Sequence, residues 1–260
     1  MPTAHPADRS RNRLLDALPD VERDRWFGQL VPSYVEIRTV LFEPGQVVES
    51  VYFPLNAVIA LVTPLHDGAL VEVATVGNEG IVGVPLVRGG SLAVRAIAQV
   101  AGWVLPMVST AFLKSIKEDA TVRELVEDYV EALFGQIAQA AACNRRHSNE
   151  ERLSRWLLMS HDRVGVDEFA VTHEFLGQLL GSRRPTVTLS AHVLQSAGLI
   201  RYRRGRVTIV DRRGLETMAC ECYRVIKIEL DGVLDRAVLR GRGAARRGSR
   251  PPPEAGATTP

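Results

Sequence analysis

Most of the signatures that assign a chain to a function class are missing from these 260 residues. There are only three cysteines, Cys143, Cys220 and Cys222, too few for a disulfide framework, so a reducing, cytoplasmic compartment is expected. Cys220-Glu221-Cys222 is a CxC without a second ligand pair nearby in the sequence, and it reads as no metal site. No GxxxxGK[ST] phosphate loop occurs, and nothing has the texture of a βαβ unit. No apolar run approaches the length of a membrane helix, so no membrane partner is expected. The first twenty residues lack the apolar core of a signal peptide. No convincing set of nucleophile, base and oxyanion donor can be picked out, so neither an enzyme nor a cofactor is expected. Net charge is also scarce, at +2, but it is unevenly placed. Residues 1–145 carry −5 and residues 146–260 carry +7, which puts a polyanion partner on the C-terminal half.

What is present centres on Gly181 to Ile200, GSRRPTVTLSAHVLQSAGLI. Leu176, Leu179 and Leu180 precede Gly181, and Val187, Ala191 and Leu194 follow at spacings of four and three. Helix, glycine-containing turn and helix is the pattern of a helix-turn-helix. Thr172 is placed to cap the first helix, and Pro185 falls in the first turn of the second, where a missing N–H costs little. The apolar face of the second helix leaves Arg184, Thr188 and His192 on another face, with Arg183 at its start. A helix N-terminus carrying two arginines suits phosphates and guanine edges.

Ile200 to Val210 then shows two β-prone runs around Arg204-Gly205, with Arg201, Arg203, Arg204 and Arg206 in or beside the turn, and reads as a basic hairpin. Helix, turn, helix and hairpin together describe a winged helix. Two short helices around a glycine are common and usually bind nothing, but the charge argues otherwise. Thr172 to Arg213 holds eight arginines against Glu174 and Asp211, a balance of +6. A merely solvated face mixes signs, and this one does not.

Upstream, residues 1–10 are polar and read as disordered, and Arg13 to Leu30 reads as two short helices punctuated by Pro19. From Val35 to Pro106, β-rich runs (35–42, 47–53, 58–63, 69–75, 94–100 and 103–105) alternate with Gly, Pro, Asn and Asp turns, the spacing of a sandwich or barrel. A long helix is expected over Thr121 to Arg145. Val122, Val126, Tyr129, Leu133, Gln136, Ala140 and Cys143 follow a 4-3-4-3-4-3 spacing along it. That seam suits pairing with a second copy, over the alternative of a helix laid on its own domain by the same stripe. Residues 149–164 form the next helix, capped by Ser148 or Asn149, and 169–171 a short strand. Gly214 to about Leu234 reads as one last helix, and the Gly, Arg, Ala and Pro of 241–260 as a disordered tail.

This order, and the residues Thr172-His-Glu-Phe-Leu-Gly-Gln-Leu-Leu-Gly181-Ser-Arg-Arg-Pro-Thr-Val187 followed by Leu194-Gln-Ser-Ala-Gly-Leu-Ile200, resembles the Crp/Fnr family of bacterial transcription regulators. The resemblance covers about Leu14 to Glu216. It implies an α+β fold: an antiparallel, jelly-roll-like β-roll sensor over 11–120, a dimerisation helix over 121–145, and a winged helix-turn-helix over 146–234. It implies Arg184 as the main base reader and Thr172, Arg183 and Thr186 as phosphate contacts. Thr188, Leu189 and His192 complete the reading face, and Arg203, Arg204 and Arg206 are the wing. The family often has an acid and a second arginine where this chain has Pro185 and Leu189, so the half-site is not expected to be TGTGA-like. Leu189 is suited to a thymine methyl.

The expected dimer seam is Val122, Val126, Tyr129, Leu133, Gln136 and Ala140. In cyclic-nucleotide-binding members a Gly-Glu holds the ribose and an Arg-Ser the cyclic phosphate. Here Gly83 is followed by Val84, and Gly90 precedes Ser91, so the pocket looks degenerate and cAMP is not expected as effector. His66, a lone loop histidine, reads as a solvated side chain rather than a haem ligand. The resulting expectation is a homodimeric, sequence-specific regulator that binds a near-palindromic DNA operator and works with RNA polymerase. The alternative is a sensor that acts through a protein partner or an unidentified ligand, with DNA binding secondary.

Overall fold

The computed structural model describes residues 12–84 and 93–248, with side chains placed up to residue 239. The first ten residues, Gly90, Ser91 and residues 249–260 therefore lie outside the described residues.

Two short helices open the chain, α1 (Arg13–Asp16) and α2 (Asp20–Phe27), separated at Pro19. Asn12 caps α1 by accepting from Leu15 N, and its buried amide donates to the carbonyls of Pro54 and Gly80. One polar side chain thus ties the entry of the chain to two turns of the roll. Seven strands follow: β1 (Ser33–Val35), β2 (Val40–Phe42), β3 (Ser50–Pro54), β4 (Val58–Pro64), β5 (Leu70–Val76), β6 (Arg95–Val100) and β7 (Gly102–Val108). They form two antiparallel sheets, β1-β7-β3 and β2-β6-β4-β5. The run expected as one strand over 35–42 is broken at Arg38, whose φ of +69° turns the chain from one sheet to the other. Positions 58–62 of β4 are all buried, because this strand lies inside its sheet and is covered on both faces.

The helix α3 (Ser109–Glu118) closes the roll. Phe112 on it meets Trp26 and Phe53 in an aromatic cluster with ring centroids 5.6–6.3 Å apart. Asp119 then caps α4 (Ala120–Arg146), accepting from Thr121 N and Val122 N.

The position of α4 corrects the expected dimer seam. Val122, Val126, Tyr129, Leu133, Gln136 and Ala140 are all buried within this one chain, none more than 8% exposed. Tyr129 donates to the Ile81 carbonyl at 3.2 Å and Gln136 to the Thr75 carbonyl at 2.9 Å, both in the roll. A 3.5-residue apolar repeat reports that a face is buried, not what buries it, and here the chain's own β-roll does so.

Ser148 forms a capping box with Glu151 and opens α5 (Asn149–Val164). β8 (Glu168–Ala170), α6 (His173–Leu179), α7 (Arg184–Ser196), β9 (Ile200–Arg203) and β10 (Arg206–Ile209) follow, with the third sheet ordered β8-β10-β9. The expected last helix is two: α8 (Arg212–Met218) and α9 (Cys222–Gly248). Ala219 is extended, with φ −72° and ψ 148°, which breaks the helix and frees α9 to fold back along α4. The pairs Arg236–Asp128, Glu229–Gly135, Cys222–Gln139 and Cys220–Cys143 run in opposite senses, so the two long helices are antiparallel. The expectation of a tail from residue 241 is corrected over 241–248. Its Arg and Ala residues are good helix formers and extend α9.

Candidate nucleic-acid interface

The helix-turn-helix is built by short-range chemistry. Thr172 caps α6, its hydroxyl accepting from Phe175 N at 3.2 Å. Gly177 is required by the turn: a Cβ there would lie 2.8 Å from the Ser182 carbonyl oxygen. Pro185 sits in the first turn of α7. Val187, Ala191 and Leu194 are buried, at 0–2% exposure, and hold α7 against its neighbours. Two bonds lock α7 and the turn before it to the start of α5: Ser190 Oγ donates to Glu150 Oε1 at 2.7 Å, and Ser182 Oγ donates to Asn149 Oδ1 at 2.6 Å. The hairpin turns at Arg204-Gly205, both with positive φ (+49° and +74°), as a two-residue turn matched to strand twist requires.

The exposed face of α7 carries Arg183, Arg184, Thr188, Leu189 and His192, with Thr186 half-buried beside them. Leu189 is 63% exposed. Of the eight arginines between Thr172 and Arg213, six make no ion pair among the described residues: 183, 184, 201, 203, 204 and 213. Arg203 and Arg204 stand exposed at the hairpin tip. These six cations lie on the helix N-terminus, the wing and the start of α8, and none of them has a carboxylate partner among the described residues.

Three residues differ from expectation. Arg206 is paired by Glu168, which lies on the neighbouring strand β8 and four residues upstream of the basic stretch, so the wing loses one free cation. Arg212 is structural: it bonds Asp162 at 2.6 Å, Tyr223 at 2.8 Å and Glu216 at 2.9 Å, tying α5, α8 and α9. Thr188 has its hydroxyl engaged. It donates to the Arg184 carbonyl at 3.0 Å and lies 3.0 Å from His173 Nδ1, so the ring nitrogen facing it is the protonated one.

His173 was not singled out from sequence. It stacks on Tyr202, ring centroids 4.1 Å apart, and joins α6, α7 and β9. Burial, and then the Arg184 guanidinium, hold its pKa below the ordinary histidine value, so it is neutral at pH 7. Burial also raises the Tyr202 phenol to about 12, and it donates to the Val171 carbonyl.

In the roll, Gly83 has φ +97° and Val84 is 2% exposed. Val84 packs at a groove shared with Ile116, Val126 and Val130, where it offers no acceptor to a ribose hydroxyl. Gly90 and Ser91 lie outside the described residues.

The CxC does not stand alone in the fold: Cys143 and His147, from the end of α4, lie beside Cys220 and Cys222.

The fold thus joins a β-roll, through a long connecting helix, to a winged helix with an unpaired basic face. Residues 151–218 match the model of the Crp-like helix-turn-helix domain. Its fold is similar to that of FixK2 from Bradyrhizobium japonicum (16% identity, 74% of this chain and 98% of that one, TM-score 0.63). TTHB099, a CRP-family transcriptional regulator from Thermus thermophilus, is similar at 20% identity over 72% of this chain and 96% of that one, TM-score 0.61. TTHA1359, a CRP/FNR-family regulator from the same organism, is similar at 18% identity over 73% and 98%, TM-score 0.56. No curated protein matches the sequence. No helix among the described residues is long and apolar enough to cross a membrane.

Proposed function

We propose that the chain is a dimeric, sequence-specific DNA-binding transcription regulator whose roll does not use cAMP as its effector. The observation that carries this is the unpaired basic face. Six arginines without ion pairs among the described residues line the N-terminus of α7, the wing and the start of α8. Keeping like charges together without partners raises the energy of the free protein, and a phosphate backbone relieves it. Arg184, in the first turn of an exposed helix, is the base reader. Arg183, Thr172 and Thr186 meet phosphate, as do Arg203 and Arg204. Thr188 positions Arg184 through its carbonyl, and Leu189 and His192 complete the reading face. RNA polymerase is the further partner that this reading implies.

The dimer uses a different face of α4 from the seam first read in the sequence. Val130, Phe134, Ile137 and Ala141 repeat at 4-3-4 along α4 and stay half-buried or exposed, flanked by the exposed Glu127 and Glu131. Phe134 is 70% exposed, the kind of apolar stripe with charged flanks that pairs as a coiled coil. A dimer of this kind reads two half-sites one DNA turn apart, about 34 Å, and calls for a near-palindromic operator.

The experiment is selection from the source genome or a random library, followed by footprinting. A two-fold symmetric motif bound by a dimer is the expected result. A purified, folded protein that enriches no sequence contradicts it and favours action through a protein partner.

A further inference from the structure

The strongest feature outside the DNA-reading module lies where α4 ends against the α8–α9 bend. Cys143 and His147 are four residues apart, so they share one face of the last turn of α4, with His147 as the helix C-cap. Cys220 lies in the bend that separates α8 from α9, and Cys222 opens α9. One ligand atom from each of the four residues lies within 4.8 Å of all the others. We propose that Cys143, His147, Cys220 and Cys222 form a closed, four-coordinate site for one zinc ion, which fastens the long helix of the sensor to the helices that follow the wing.

The separations fit a single ion. Cys143 Sγ and Cys220 Sγ are 3.6 Å apart, and Cys222 Sγ and His147 Nδ1 are 3.5 Å apart. A zinc tetrahedron with Zn–S of about 2.3 Å and Zn–N of about 2.0–2.1 Å has S–S edges of about 3.8 Å and S–N edges of about 3.5 Å. A two-iron cluster holds its ligand pairs on separate irons, farther apart than this cage. Three sulfurs and one imidazole nitrogen in a tetrahedron select zinc over the harder divalent cations.

The surroundings fit an anionic centre. Cys143, Cys220 and Cys222 are buried at 0%, 4% and 0% and form a cluster apart from the main core, so no position is left open for water. His147 Nε2 is 3.2 Å from Glu221 Oε2, the outer carboxylate that fixes Nδ1 as the ligating atom. Gln139 donates an N–H to Cys222 Sγ at 3.1 Å. Arg152 and Arg155, 8% and 5% exposed, make no ion pair among the described residues, and each has a buried Nε without a partner. Both guanidinium groups act electrostatically on Cys143, and Arg155 also acts on Glu72. Two buried cations need nearby negative charge. Three thiolates, a neutral imidazole and Zn²⁺ supply one net negative charge, and three thiol protons pass to solvent when the ion binds.

The test is metal analysis of the full chain purified under reducing conditions, then cobalt substitution. The expected result is one zinc per chain, and a cobalt form with thiolate charge-transfer bands and the strong d–d absorption of a tetrahedral site. Cys220→Ser loses the metal. Because a buried cysteine change can disturb folding, Glu221→Gln on the exposed outer carboxylate is the second variant, expected to weaken zinc binding by about 10–100-fold in a folded protein. A folded wild-type chain that takes up no metal overturns the proposal. So does a Cys143–Cys220 disulfide in its place, or iron with acid-labile sulfide.

Discussion

Glu79, in a turn of the β-roll, and Arg163, in the last turn of α5, form an ion pair in which neither side chain is more than 7% exposed. Glu79 Oε1 accepts from Arg163 Nη2 at 2.7 Å and from Nε at 2.9 Å, while Arg163 also donates to the Thr75 and Met159 carbonyls. The pair joins the roll to α5 at the start of the helix-turn-helix domain. Glu79→Ala leaves a buried guanidinium without its carboxylate and is expected to cost about 3–5 kcal/mol. Glu79→Ala with Arg163→Met removes both charges and recovers much of that loss. Urea unfolding of the two variants checks the difference, and equal losses would show that the charge pairing is not what matters.

The dimer face is separable from the buried seam by two neighbouring residues. Phe134→Glu changes an exposed side chain and is expected to give folded monomers by light scattering. Leu133→Glu buries a charge against the roll and is expected to unfold the chain instead, with a loss of several kcal/mol. A dimer that survives Phe134→Glu places the interface elsewhere.

Glu72 gives the stability a specific pH dependence. It is buried in β5, 3.3 Å from Trp156 Nε1, and desolvation raises its pKa above the ordinary glutamate value despite the opposing Arg155 charge. The native state therefore binds its proton more tightly than the unfolded chain. Its favourable contribution is present below about pH 4.5 and is lost as pH rises through the folded-state value. Glu72→Gln removes this term, so its stability relative to wild type is expected to rise between pH 4.5 and 7. A flat difference across that range contradicts the assignment.

The roll is expected to ignore cAMP and cGMP. Val84 is buried and stands where the resemblance to cyclic-nucleotide-binding proteins calls for a ribose-binding glutamate. Isothermal titration should give no saturable heat for either nucleotide, and a micromolar constant would overturn the reading.

Local signals were legible in the sequence where the chemistry is local. Thr172, Pro185 and the Val187-Ala191-Leu194 face specify the helix-turn-helix within a few turns of chain, and Arg204-Gly205 specifies the wing turn. What was not legible depends on contacts between distant segments. The 3.5-residue repeat on α4 does not say that Ile81 and Thr75 meet it. Nothing near Arg206 in the chain announces Glu168 as its partner. Cys220-Glu221-Cys222 looked incomplete because its other two donors lie more than seventy residues away, brought in by the antiparallel fold of α9 on α4. The helical break at Ala219 was hidden because Leu215, Met218, Cys222 and Ile226 keep a helical spacing across it.

The most direct measurement is the affinity of Arg184→Ala, Arg204→Ala and Arg206→Ala for the selected operator and for a scrambled duplex, each across a salt series. Arg184→Ala is expected to lose about 1–3 kcal/mol per half-site on the operator, with little change on the scrambled duplex. Arg204→Ala weakens both alike and lowers the salt slope by about one charge for each arginine removed, while Arg206→Ala, already paired with Glu168, changes it less. Equal losses for Arg184→Ala on both duplexes would contradict base reading by α7 and leave Arg184 a phosphate clamp.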